Sequence, residues 1–552
     1  MPKPQKSKPD TRQSEILLLA WLASCVSVIA FLWYFKNGDA TLYGDAVAHI
    51  NIARRVFDSK TPGPLQLGTV WLPLPHLLMM PFLISMNMWQ TGAGGSIPSM
   101  VAYVFGVVGI FRLTRDALSR GAEPETRARI AAWIAALIYA ANPNLIYMQS
   151  TAMGETLYLT VFVWAVVYFA ESIRGGTDAL TKCGLCLAAA CLTRYDGWFL
   201  AAIMTACIVV RALLSARTKG DQAPQWPRAS VVKFVLIAAA VPVLWLAYNG
   251  IVYRNPLEFA NGPYSAKAIE SKTQSTGNPG HPGSGRPLSA AMYFLKSAED
   301  NMAENAWLQR GWIFGLATAL GLMAATLPLR TNANSLWPLL LLFVPIPFYA
   351  LSVAYSGVPI FIPQWWPFSH YNVRYGLQLL PAFCLALAGL AYPVIQWGAS
   401  DRWLRLGRTL AIGGLIIVSY ATVWRAGPVC LREAQINMRT RNQLEAQLAG
   451  WLSKLPPDST LLMYLGDHVG AVQRAGIPLK RTINEGNHRT WKQPVDPEGL
   501  WEQALANPAQ NADFILAFEG DPVWQAVQGL KLHELVEVHV TGQARAVLYR
   551  AR

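Results

Sequence analysis

Long apolar runs alternate with short polar connections along most of this chain. The runs lie near 17–34, 98–112, 130–148, 156–170, 183–193, 197–214, 232–249, 311–328, 336–354, 376–397 and 409–425. A helix needs roughly 20 residues to cross a bilayer. The pattern therefore predicts eleven transmembrane helices, with 183–193 the short one. The stretch from Trp71 to Met86 contains Pro73, Pro75, Pro81 and one histidine, which predicts a helix at the membrane interface and not a span. Beyond residue 428 the pattern changes. Helical periodicity over 434–454 and 498–507 alternates with strand-like TLLMYL, DFILAF, HELVEVHV and RAVLYR, the mark of a small α/β domain. The expected fold is an α-helical polytopic membrane domain over 1–427 followed by an α/β domain over 428–552.

The charges orient this arrangement. Lys3, Lys6, Lys8 and Arg12 precede the first run, and no small-residue cleavage site follows it, so it reads as an anchor with a cytoplasmic N-terminus. Eleven crossings then put Arg112, Arg115, Arg120, Arg127 and Arg129 in one cytoplasmic loop. They put Arg211, Arg217, Lys219, Arg228 and Lys233 in a second, and Arg402, Arg405 and Arg408 in a third, as the positive-inside rule requires. Segments 37–97 and 254–308 and the C-terminal domain fall outside. The 254–308 segment carries TGNPGHPGSGRP and reads as a long flexible loop that orders over an acceptor.

Composition agrees. Of 552 residues, 53% are hydrophobic and 14% charged, against about 25% charged in soluble domains. The net charge of +14 sits mostly in the short loops, so it does not point to nucleic acid. Six of the seven cysteines lie in apolar runs. That excludes an external disulfide framework and leaves Cys183 and Cys186 as packing residues.

Four stretches place ionisable groups at the outer ends of spans, where they are costly unless they face a polar cavity. They are GDAVAH with Asp45 and His49, TAMGETLY with Glu155, TRYDGW with Arg194 and Asp196, and HYNVRYG with His370, Arg374 and Tyr375. The topology brings them to one level. Acids and arginines at the outer leaflet suit a hydroxyl nucleophile and a lipid phosphate leaving group. A carboxylate removes the hydroxyl proton, and arginine forks bind phosphate while staying charged. Asp45 and Glu155 are the catalytic candidates. Arg194, Arg374 and the Arg54–Arg55 pair are the candidate phosphate ligands. His49, His76, Asp196, Tyr264, Lys267, His370 and Tyr375 are candidate substrate contacts. Each stretch also has a plainer reading: Glu155 sits where a helix dipole favours an acid, Arg194 and Asp196 make a local pair, and Arg374 snorkels to headgroups.

The order of these stretches resembles the GT-C superfamily of polyprenyl-phosphate-sugar-dependent glycosyltransferases. Within it, the nearest pattern is the bacterial group related to protein O-mannosyltransferases and aminoarabinose transferases. The matching text is YGDAVAH, WLPLPHLLMMPF, ANPNLIYMQSTAMGETLYLT, CLAAACLTRYDGW and RYGLQLLPAFCLAL, spread over roughly 15–425. The resemblance implies an inverting transferase of the inner membrane with Asp45 as base. It places the donor phosphate near Arg194 and Arg374, and a glycan, lipid or protein as acceptor. Ala46 follows Asp45 where the family usually has a second acid or Glu-Pro, and Arg194 replaces the more usual lysine. No tightly held cofactor is therefore expected. A divalent Mn²⁺ or Mg²⁺ ion belongs to an alternative, an oligosaccharyl transferase using a lipid diphosphate. A transporter or lipid flippase is the alternative of another class. It would carry its charges at the midplane in repeated halves.

Overall fold

The structure, a computed structural model, describes residues 11–119, 125–176, 178–217, 226–273, 280–325, 336–396, 401–466, 468–487 and 498–551. Where the structure describes them, the expected apolar runs are helical. Among the described residues eight helices are long and apolar enough to cross a membrane, and a bent pair makes a ninth. That pair is Ala128–Ala140 and Pro143–Gln149, which meet at 62°. The break has a local cause. Asn142 caps the second helix by accepting from the Leu145 backbone N–H at 3.0 Å, and Pro143 occupies its first position, where a missing N–H costs nothing. The expected short run is Ala179–Cys191, about 20 Å long at 1.5 Å per residue. Leu74–Leu83 is a ten-residue helix, too short to cross, as its prolines predict.

The helices sort by environment. On Thr11–Lys36, Leu17, Trp21, Ile29 and Trp33 are exposed, which suits contact with lipid tails. On Glu155–Ile173, Phe162, Val163, Val166 and Phe169 are fully buried, so this helix forms the centre of the bundle. Arg12 pairs with Asp116 at 2.7 Å, Arg115 with Glu15 at 3.0 Å, and Arg129 also reaches Glu15. The start of the first helix thus shares one end of the bundle with Arg115, Asp116 and Arg129, as the charge pattern predicts.

The 254–308 segment differs from its expectation as a flexible loop. Helices Glu258–Asn261, Ala266–Thr273 and Pro287–Asp300 occupy much of it, and 274–279 lie outside the described residues. Ala290, Phe294 and Ala298 recur at helical spacing and are fully buried. That periodicity outweighs the Gly-Pro text just before it.

The C-terminal residues form a five-stranded sheet in the order β2-β1-β3-β5-β4. The strands are β1 (Leu461–Met463), β2 (Thr482–Ile483), β3 (Phe514–Phe518), β4 (His533–Val538) and β5 (Ala546–Arg550). β1 pairs in parallel with β2 and β3, while β5 runs antiparallel to β3 and β4. Four of the five were expected from the alternation; β2, with two residues, was too short to show. The sheet sits on the segment after helix Gly44–Arg55. Asp58 accepts from the backbone N–H groups of Leu479 and Lys480 at 3.3 and 3.2 Å, Gln66 donates to Gly486 O at 2.8 Å, and Asn487 donates to Thr61 Oγ1 at 2.9 Å.

Close backbone packing joins Pro287–Asp300 to the turn at Gly376. A Cβ at Gly376 would lie 2.4 Å from Ser297 C and 2.5 Å from Ala298 N. Backbone cannot move aside as a side chain can, so Gly376→Ala is expected to cost about 3 kcal/mol, the upper range for overpacking. A Cβ at Gly389 meets nothing within 4 Å. Thermal unfolding in detergent should show a clear loss for Gly376→Ala and little change for Gly389→Ala; equal melting of the two would refute this account of the packing.

Candidate active site

Two arginines organise the end of the bundle that carries Asp45. Arg374 lies in the turn Val373–Leu379 that opens helix Leu380–Gln396. Each of its three nitrogens meets a carboxylate from a different segment. Nη2 donates to Asp45 at 2.7 Å, Nε to Glu155 at 3.1 Å, and Nη1 to Glu433 at 2.7 Å. Arg194 lies between helices Ala179–Cys191 and Asp196–Arg217. It donates to Glu155 at 3.0 Å, to Asp196 at 3.3 Å and to the Tyr349 hydroxyl at 3.1 Å. Tyr349 in turn donates to Asp196 at 2.7 Å. The ring of Tyr375 lies between the guanidinium carbons, 4.9 Å from Arg194 and 5.3 Å from Arg374. The ring of Tyr43 also lies 5.0 Å from the Arg374 guanidinium carbon.

Exposure divides these acids. Asp45 is 41% exposed at its side chain, against 2% for Glu155 and 1% for Glu433. Asp45 alone among the partners of Arg374 is within easy reach of a substrate. Burial disfavours charge on Arg194, but Asp196, Tyr349 and Glu155 outweigh it and hold its pKa well above the usual arginine value. Four carboxylates face two guanidinium groups, so acids outnumber bases in the cluster.

His49 follows Asp45 by one turn of helix Gly44–Arg55 and contacts His76 ring to ring, Nδ1 to Nε2, at 2.8 Å. Burial lowers the pKa of both. Trp71 meets the His49 ring edge-on at 5.2 Å.

The structure thus brings together Asp45, Glu155, Arg194, Asp196, Arg374 and Tyr375, with His49 and His76 beside them. Other expectations change. Glu155, expected beside Asp45 as a catalytic acid, is enclosed between the arginines and positions them; its Oε2 is sealed without a hydrogen-bond partner. Arg54 does not reach the cluster. It donates to Asp58 at 2.7 Å and to the carbonyls of Leu83 and Ile84 at 2.5 and 3.0 Å, so it ties the first loop together. Arg55 donates to Gln66 O at 3.2 Å and lies near Glu485, Tyr253 and Tyr264. Lys267 is exposed on Ala266–Thr273, a helix packed against Gly357. His370 faces Arg432, with its Nε2 buried and unpartnered. Among the described residues no hydrogen bond joins these side chains to the cluster: Arg54 and Arg55 are engaged within the first loop, and the helix at 266–273 and the turn at 370–372 direct Lys267 and His370 elsewhere.

Glu433 and Tyr349 were not foreseen. Glu433 opens a helix that the sequence assigns to a separate domain, and Tyr349 lies inside an apolar run. A lone acid about two turns past the last span was the only signal for Glu433. Among the described residues no group of three or more His, Cys, Asp or Glu is arranged to hold a metal ion. The carboxylates converge on guanidinium groups instead.

No family model matches this sequence, and no curated protein does. Solved structures share its fold. ArnT from Cupriavidus metallidurans bound to undecaprenyl phosphate superposes with a TM-score of 0.55 over 98% of both chains at 15% identity. Its apo form gives 0.53 at 13% identity, over 98% of this chain and 99% of that one. The apo oligosaccharyltransferase of Archaeoglobus fulgidus gives 0.50 at 12% identity, over 91% of this chain and 69% of its own. Both proteins are of the GT-C superfamily. At such identities the likeness establishes the fold: this chain is a polytopic membrane protein of GT-C architecture.

Glu433 is the link through which the C-terminal helix Val429–Leu452 enters the cluster. Removing one partner of a buried ion pair typically costs 3–5 kcal/mol. Asp45 and Glu155 still partner Arg374 in Glu433→Ala, so a loss of about 3 kcal/mol is expected. Thermal unfolding with Glu433→Gln as the milder control would measure it, and wild-type stability in both would show that Glu433 carries no such load.

Proposed function

We propose that this protein is an inverting glycosyltransferase. It moves a sugar from a polyprenyl-phosphate donor to a hydroxyl acceptor at the outer face of the inner membrane. The observation that carries this reading is a single exposed carboxylate, Asp45, held at 2.7 Å by an arginine whose other two partners are buried. The GT-C fold supports it, as does the lipid phosphate bound by ArnT in a structure of the same architecture.

The mechanism follows from which partners can exchange. A phosphodiester donor carries one negative charge and would approach the Nη2 edge of Arg374 in place of Asp45. Arg374 keeps three anionic partners, since the phosphate takes the place at Nη2 that Asp45 gives up. Asp45 then loses a cation, and a carboxylate without its cation becomes more basic. It takes the proton from the acceptor hydroxyl as the oxygen attacks the anomeric carbon. The bond to phosphate breaks on the opposite face, and the arginines stabilise the charge that develops on the leaving phosphate. Glu155 and Glu433 hold Arg374 in place throughout, while Asp196 and Tyr349 do the same for Arg194.

Asp45→Asn keeps the shape and removes the base, so the transfer rate should fall by 10²–10⁴, the usual contribution of a general base. Binding of the lipid donor should survive. A near wild-type rate in Asp45→Asn would reject the assignment.

Arg374→Lys replaces a three-pronged fork with a point charge. Donor affinity is expected to drop roughly tenfold or more, the worth of one charge-assisted hydrogen bond. Equilibrium binding of undecaprenyl phosphate measures it, and unchanged affinity in both Arg374→Lys and Arg194→Ala would place the phosphate elsewhere.

Transfer should proceed after exhaustive chelation, because the exchange above neutralises a monophosphate with arginine alone. Activity that disappears with chelator and returns on adding Mn²⁺ or Mg²⁺ would instead favour a metal-dependent transferase using a lipid diphosphate.

A further inference from the structure

The mechanism leaves two buried histidines without a task. His49 stands one turn beyond Asp45, and His76 sits on the neighbouring helix Leu74–Leu83, whose Leu74 N–H bonds to Leu192 O at 2.9 Å beside the Arg194 segment. His49 Nδ1 and His76 Nε2 are 2.8 Å apart. The two differ in what their other nitrogens meet. His76 is 0% exposed, and its Nδ1 is sealed with no hydrogen-bond partner. His49 is 7% exposed. Among the described residues nothing hydrogen-bonds its Nε2, yet that atom is not sealed as His76 Nδ1 is. The charged groups facing His49 are Asp45, Glu155, Arg374 and Arg194, and the one facing His76 is Arg55. Burial lowers the pKa of both rings and so favours their neutral forms.

Two neutral imidazoles in contact share one proton between the facing nitrogens. Suppose that His49 Nδ1 carries it. His76 must then carry its own proton on Nδ1, a buried N–H with no acceptor, which folded proteins rarely tolerate. Suppose instead that His76 Nε2 carries it. His76 Nδ1 is then bare, an unmet lone pair and the lesser cost, and His49 must carry its proton on Nε2. The second arrangement leaves the only free N–H of the pair on the atom that is not sealed.

We infer that His76 locks His49 in the Nε2–H tautomer, so that His49 presents a fixed hydrogen-bond donor beside Asp45 to a phosphate oxygen of the lipid donor. His49 is the binding residue and His76 a positioning residue. The assignment rests on the transferase reading above. It answers a shortage in that site. Both arginines are already engaged by carboxylates, whereas His49 Nε2–H donates without first losing a partner. An anionic oxygen is the strongest acceptor for such a donor, and a neutral imidazole adds no charge to a site where acids outnumber bases.

The test uses the whole protein in detergent. With ¹⁵N-histidine labelling, the ring shifts of His49 and His76, assigned by their absence in His49→Gln and His76→Gln, should show Nε2 protonated and Nδ1 bare in both. A proton on His49 Nδ1 overturns the lock. Binding of undecaprenyl phosphate is the second readout. Glutamine places an amide N–H where Nε2–H sits, and asparagine places it where Nδ1 sits. His49→Gln should therefore bind near wild-type affinity, and His49→Asn and His49→Ala about tenfold or more weaker. His76→Gln should preserve His49 Nε2 protonation, while His76→Ala should let His49 populate both tautomers and weaken binding several-fold. Equal binding by wild type, His49→Ala and His49→Asn overturns this assignment and leaves the transferase reading standing. A wild-type protein that does not bind undecaprenyl phosphate overturns both.

Discussion

One guanidinium group, that of Arg374, joins parts of the chain that otherwise have little reason to meet. Asp45 comes from the first loop, Glu155 from the start of the central helix and Glu433 from the first helix of the C-terminal region. A buried charge without partners costs several kcal/mol. The arginine is therefore held chiefly by the two enclosed acids, Glu155 and Glu433, and Glu433 in turn depends on the arginine for its only charged partner among the described residues. The cost of burial becomes a demand for assembly.

That demand explains features away from the site. Gly376 follows Tyr375 so that the turn carrying Arg374 can lie directly on the backbone at Ser297. Asn301 supports the same turn by donating to Val373 O at 2.9 Å, and Glu433 accepts from the Val373 N–H at 2.6 Å. The C-terminal sheet is fastened to the first loop through Asp58, Gln66 and Asn487, while the helix before it supplies Glu433. The α/β region is thus mechanically continuous with the segment that carries Asp45. Arg54 serves this purpose too, fixing the loop against Leu83 and Asp58.

The cluster also separates rigid from exchangeable groups. Glu155, Glu433, Asp196 and Tyr349 are enclosed and hydrogen-bonded to the arginines. Asp45 shares the network but stays open on one side. An acid that is positioned by an ion pair and still reachable is what a base acting on an incoming hydroxyl needs, and enclosed acids are what keep its partner from moving.

The sequence by itself determined the membrane class, the helical runs and the gathering of the polar groups at one end of them. Apolar length and loop charge are local quantities, and bilayer thickness converts them directly into spans. It also showed Asp45, Arg194, Asp196 and Arg374, because an ionisable residue at the edge of an apolar run is conspicuous. It did not separate Asp45 from Glu155 in role, since both are acids near span ends and only packing made one open and the other closed. Lys267 and His370 looked equally eligible until helices in 254–308 and the turn before Arg374 directed them away. Glu433 was hidden because its partner lies 59 residues earlier in the chain. Pairing over such distances depends on how helices cross, which is set by side-chain packing across the whole bundle and leaves no mark in any one stretch of sequence.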